Sequence, residues 1–210
     1  MTLYLLDKQD NIFKLPFERT VQTEVEVLLQ NQYYSFTKDA EFTEFQGSYK
    51  TQKGELNTIT EYTLPENLRE AIANPSNVEI LDLDSHVQPK SIFAEVDIDG
   101  IKIVVFQKID SRQILDTSYS FIQSRDVFSK LEERVLTLQN KIVAAFGVDG
   151  LLFSSFPQVR SILPVVQHYE EATKGDIDDF VDQELFAFTD ETKFRGGLSP
   201  LTRKKIKMIK

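Results

Sequence analysis

The stretch SIFAEVDIDGIKIVVFQKI, Ser91–Ile109, constrains the fold more than any other. Two β-rich runs flank Asp99-Gly100, and Asp-Gly supplies the positive φ angles of a tight hairpin turn. In the first run Phe93, Glu95 and Asp97 share one face, and Ile92, Ala94, Val96 and Ile98 share the other. The second run, Ile101–Ile109, is apolar on both faces, which predicts a strand interior to a sheet. A second hairpin is predicted in KIVAAFGVDGLLFSS, Lys141–Ser155, with Asp149-Gly150 at its turn.

Around these hairpins the elements alternate in type. Leu3–Leu6 and Ile12–Phe17 read as strands joined through the turn-rich residues from Lys8 to Asn11. TEVEVLLQN fits a strand through Val25 and Val27 and a helix through Leu28 and Leu29. Glu55–Leu64 carries residues suited to a pleated surface, and Pro65 opens a short helix that buries Leu68 and Ile72 and stops at Pro75. A helix is predicted over Arg125–Asn140, capped by Ser124, because Phe128, Leu131, Val135 and Leu138 form one stripe. A second is predicted over Pro157–Ala172, with Val159, Ile162, Leu163 and Val166 inward, kinked or divided at Pro164 and stopped by Gly175. A third is capped by Asp176 and carries Ile177, Phe180, Val181, Leu185 and Phe188 on one face. Ser199 caps a last helix with Pro200 in its first position.

The expected fold is α+β: an antiparallel β-meander through the two Asp-Gly hairpins with helices packed on it. Three regions follow from this: a strand- and loop-rich part at 1–90, an α+β core at 91–190 and a basic tail at 191–210. Core positions Val135, Phe180 and Leu185 are expected to lose about 2–5 kcal/mol on truncation to alanine. The final helix is too short to be stable without a docking surface, which predicts that further protein follows Lys210.

Charge is unevenly placed. After Glu191 come Lys193, Arg195, Arg203, Lys204, Lys205, Lys207 and Lys210, and no acid. Taking those seven from the 24 cations leaves 17 against 33 acids in the rest of the chain. The body is therefore expected to repel nucleic acid and the tail to attract phosphate. No apolar run has membrane-span length, and MTLYLLDKQDNIF lacks the pattern of a signal peptide. Cysteine is absent, so thiolate chemistry and disulfides are excluded; this fits a reducing cytosol.

Signals of catalysis are few. His86 and His168 have no ligand-spaced partner. Asp82 and Asp84, with Asp97 and Asp99, form the one carboxylate set that a hard cation would use, against the commoner reading of solvated turn acids. A restriction-type nuclease needs Glu or Gln and Lys two apart on one strand. Gln107 and Lys108 are adjacent and point to opposite faces, so that motif fails. Gly196-Gly197 lacks a phosphate-loop pattern, and no sequence motif calls for a cofactor. Arg203, Lys204, Lys205, Lys207 and Lys210 are the candidate nucleic-acid contacts. No aromatic lies among them to stack a base, so they would meet backbone only.

From Asn140 to Asp182, NKIVAAFGVDGLLFSSFPQVRSILPVVQHYEEATKGDIDDFVD, the order of elements resembles the domain of the B subunit of the Kiwa anti-phage defence system. Ile142–Phe146, Asp149-Gly150, Leu151–Phe153, Phe156 and Ile162 occupy the family's strand, turn, strand and helix-opening places, and the Asp99-Gly100 hairpin is similar to its central hairpin. The likeness covers about residues 90–190. It implies a cytoplasmic bacterial defence protein that works with a membrane-protein partner and associates with DNA. The expected function is a non-enzymatic interaction module, a homo-oligomer contacting DNA backbone through the basic tail. A metal-dependent phosphodiesterase and a purely structural oligomerisation domain are the alternatives.

Overall fold

The computed structural model describes residues 1–45, 51–82, 87–110, 113–115, 120–124, 127–130, 132, 135–168, 172–183, 189–200, 202–203 and 206. Its frame is an eight-stranded sheet in an α+β fold. The strands are β1 (Leu3–Asp7), β2 (Ile12–Leu15), β3 (Glu41–Glu44), β4 (Glu55–Ile59), β5 (Pro89–Ile98), β6 (Ile101–Lys108), β11 (Ala144–Gly147) and β12 (Gly150–Phe153). They lie in the order β2-β1-β5-β6-β11-β12-β4-β3. Every pairing is antiparallel except β3 with β4. The meander predicted from the two hairpins is the centre of this sheet. Strands from the first ninety residues flank it on both sides.

The Asp99-Gly100 turn has both residues at positive φ, 53° and 86°, and pairs Ile98 with Ile101. The second hairpin turns through Val148 and Asp149, and Gly150 opens β12 at φ 87°.

Alternation along each strand sends side chains to two cores. Tyr4, Phe93 and Phe106 form a row across β1, β5 and β6, with ring centroids 4.9 and 5.8 Å apart. This face packs against helix α2 (Glu66–Ala73) and the segment from Val159 to Val165. The Tyr4 hydroxyl donates to the Ala71 carbonyl at 2.9 Å, tying sheet to helix. The opposite face carries Leu3, Leu5, Ile92, Ala94, Val105 and Ala145, and packs against helix α1 (Arg19–Thr37). The ambiguous TEVEVLLQN segment is thus helical. Val25, Leu29 and Gln32 fall on the buried stripe, whereas Val27 and Leu28 are exposed.

The helix predicted over 125–140 does not form. Phe121–Ser124 (β8) and Val127–Lys130 (β9) make a separate hairpin, and Val135–Leu136 (β10) pairs with Ile114–Leu115 (β7). Ser124, predicted as its N-cap, ends a strand. Leu136 and Leu138, two residues apart, pack on the α1-side core, while Phe128 stays 66 % exposed. Val127, Phe128 and Val135 suit extended backbone, and a 3.6-residue stripe has no force without a surface to bury it.

The second predicted helix is also shorter. Only α3 (Phe156–Val159) is helical before the chain turns, and Pro164 separates it from a 3₁₀ turn at Val165–His168. Val165, not Val166, is the buried residue. The third helix, α4 (Lys174–Val181), begins earlier than Asp176. Thr173 is its cap, and Gly175 lies in its first turn. The Thr173 Oγ1 accepts from the Asp176 N–H at 3.2 Å, while Asp176 accepts from the Thr173 N–H at 2.9 Å, a reciprocal capping box. Leu185 and Phe188 lie outside the described residues.

Candidate functional sites

The described residues of the basic C-terminal segment fold back on α4. Helix α5 (Glu191–Gly196) is capped by Asp190, whose Oδ1 accepts from the Lys193 N–H at 2.9 Å. The predicted Ser199 cap also forms: its Oγ accepts from the Thr202 N–H at 3.1 Å. Ile206, only 3 % exposed, closes a small apolar cluster with Ala172, Ile177 and Val181, flanked by Phe180, Phe194 and Leu198. The Arg203 carbonyl accepts from the Ala172 N–H at 3.4 Å.

The cations of this segment differ in how far they are engaged. Arg195 donates to Glu191 at 2.6 Å through Nε and to Asp178 through an Nη, so it neutralises acids of α4 and α5. These two carboxylates, Glu191 first, raise its pKa further. Lys193 is exposed and Arg203 half-buried, and neither makes an ion pair among the described residues. Lys204, Lys205, Lys207 and Lys210 lie outside the described residues.

Among the described residues the carboxylate set does not assemble. No three acids or histidines among the described residues stand close enough to hold a metal ion. Asp97 and Asp99 serve the hairpin turn instead. The Asp97 Oδ1 accepts from the Gly100 N–H at 2.8 Å, and the Asp99 carboxylate raises the pKa of the Tyr34 phenol. Asp82 follows Leu81, whose N–H donates to the Lys14 carbonyl beside β2. Asp84 and His86 are outside the described residues, as is the His168 side chain.

Gln107 and Lys108 point to opposite faces, as their adjacency requires. Lys108 is exposed; Gln107 is 2 % exposed and belongs to a polar network in the α1-side core. Its Nε2 donates to Gln32 Oε1 at 2.6 Å and to the Gln139 carbonyl at 3.0 Å, and its Oε1 accepts from the Gln139 N–H at 3.1 Å. Gln32 in turn donates to the Gln139 carbonyl at 2.9 Å. The network fixes α1, β6 and the approach to β11 to one another.

A lysine-rimmed groove of about 810 Å³ opens at the shared end of β1, β5 and β6. Lys8, Lys90 and Lys108 line it, with Asp110 and Ser161. The sequence reading missed this constellation. The three lysines are far apart along the chain, and strand pairing alone makes them neighbours.

No known protein family, curated protein or solved structure shows a significant match to the chain.

Proposed function

We propose that the chain is a non-enzymatic interaction module of a bacterial anti-phage defence system, contacting DNA backbone through its basic C-terminal region and working with a membrane-protein partner. The defence role rests on the likeness of residues 90–190 to the Kiwa B-subunit domain. No helix among the described residues is long and apolar enough to cross a membrane, so membrane association in this reading comes through the partner.

The observation that carries the DNA contact is the seating of the basic segment. Ile206, buried against Ala172, Ile177 and Val181, docks on α4, and Arg203 is tied alongside through its carbonyl, which accepts from the Ala172 N–H. The rest of the chain holds 17 cations against 33 acids. DNA is attracted to the segment and repelled by the net negative charge of the rest of the chain, and its binding weakens steeply as salt rises. Gel shifts of a DNA duplex at low and high salt test this, comparing the native chain with one in which Arg203, Lys204, Lys205 and Lys207 are all glutamate. Loss of a salt-sensitive shift supports the reading; equal affinity of the two chains rejects it.

A second reading, self-association, is favoured by the β8–β9 hairpin. Phe121, Val127 and Phe128 are each more than 60 % exposed on it. Light scattering of the native chain and of Phe121→Ser/Phe128→Ser decides between an oligomer held by this hairpin and a monomer.

A further inference from the structure

We propose that the groove at the shared end of β1, β5 and β6 binds a nucleoside polyphosphate. The inference goes beyond the DNA contact above and uses different residues.

The backbone places the three cations. The Lys8 N–H donates to the Gln88 carbonyl at 2.9 Å, which ties the end of β1 to the start of β5. Lys108 ends β6 opposite Ser91, and the Ile109 N–H donates to the Lys90 carbonyl at 3.2 Å. Three adjacent strands therefore deliver one lysine each to a single rim. Lys90 is held by Asp10 at 2.8 Å. Lys8 and Lys108 are exposed, and neither makes an ion pair among the described residues. Like charges gathered in this way repel, and an anion bound between them removes that cost.

The groove also has an apolar side. Val87, Pro89 and Ile109 line it, continuous with the α1-side core through Val87 and Ile109, and Gln88 and Ser161 add polar groups. A volume of about 810 Å³ lies within the range of small-molecule sites, which pair an apolar lining with a few placed polar groups. Phosphates suit the lysine rim and a nucleoside suits the apolar side. A single bounded groove of about 810 Å³ suits a compact ligand over an extended one.

The test is calorimetric titration of the native chain with ATP, tripolyphosphate, adenosine and a short DNA duplex. ATP is expected to bind, tripolyphosphate more weakly, and adenosine not measurably. Lys8→Ala/Lys108→Ala, both at exposed positions, is expected to weaken ATP by about tenfold or more, the usual weight of charge-assisted hydrogen bonds. Lys53→Ala, an exposed lysine outside the groove, and the C-terminal glutamate variant are expected to bind ATP as the native chain does. That last comparison separates this site from the DNA contact. Absence of ATP binding at millimolar concentration overturns the proposal, as does an unchanged affinity in the double variant. Duplex binding that the double variant abolishes, with no ATP binding, assigns the groove to nucleic acid and overturns it equally.

Discussion

Gly150 and Ile59 meet so closely across the β12–β4 pairing that a Cβ on Gly150 would overlap the Ile59 carbonyl oxygen and stand 2.8 Å from the Thr60 Cα. The other Asp-Gly turn has no such neighbour: a Cβ on Gly100 would meet nothing within 4 Å. Both glycines have positive φ, so alanine is strained at either. Gly100→Ala is expected to cost about 1–2 kcal/mol from backbone conformation alone. Gly150→Ala is expected to cost about 3 kcal/mol or more, because backbone atoms must also move apart. Urea unfolding of the two variants side by side measures the difference.

Gln107 is the hub of the buried amide network. Gln107→Ala removes the side-chain amide and leaves the Gln139 N–H and Gln32 Oε1 without their bonds to it. An unsatisfied buried polar group costs about 1–3 kcal/mol, so the variant is expected to lose at least that much. Thermal and urea unfolding report the loss. Hydrogen exchange at the Gln139 amide should accelerate with it.

Val135 and Phe153 separate the two readings of the 125–140 region. Val135 is 38 % exposed on β10, so Val135→Ala is expected to cost less than about 1 kcal/mol, not the core penalty that a helical stripe implies. Phe153 is fully buried and stacks edge-on against Phe45 at 5.2 Å. Phe153→Ala is expected to cost about 3–5 kcal/mol. Equal effects of the two substitutions in the same denaturation series would contradict the strand assignment.

Tyr62 predicts an alkaline limit. Burial raises its phenol well above the ordinary value of 10.0. Between that value and the raised one, the unfolded chain loses this proton and the folded chain keeps it. Stability from this group is therefore full below pH 10.0 and falls as pH rises above it. Denaturation curves from pH 8 to 11 should show a decline that is shallower in Tyr62→Phe. An identical slope in both chains would remove Tyr62 as its cause.

Local chemistry accounts for the parts of this fold that could be read in advance. The Asp99-Gly100 turn and the alternation of Ile92, Ala94, Val96 and Ile98 define a hairpin, and the evenly apolar run Ile101–Ile109 predicts that its second strand lies inside a sheet, where β6 is found between β5 and β11. Ser199 and Pro200 mark a helix start for equally local reasons. Over Phe128–Leu138 the same kind of reasoning misled. The stripe at helical spacing competed with β-branched and aromatic residues, and only docking of Leu136 and Leu138 on the α1-side core settled the contest.

Of the candidate sites, the tail's positive charge was visible as composition. That Arg195 answers Glu191 and Asp178, and that Ile206 packs beneath the segment, required the fold. The lysine groove left no trace in the sequence at all. Alternation and turn residues determine which face of a strand a side chain occupies, because the backbone repeats every two residues. Which strands become neighbours depends on burying all the apolar faces together, and that global packing alone brought Lys8, Lys90 and Lys108 to one rim.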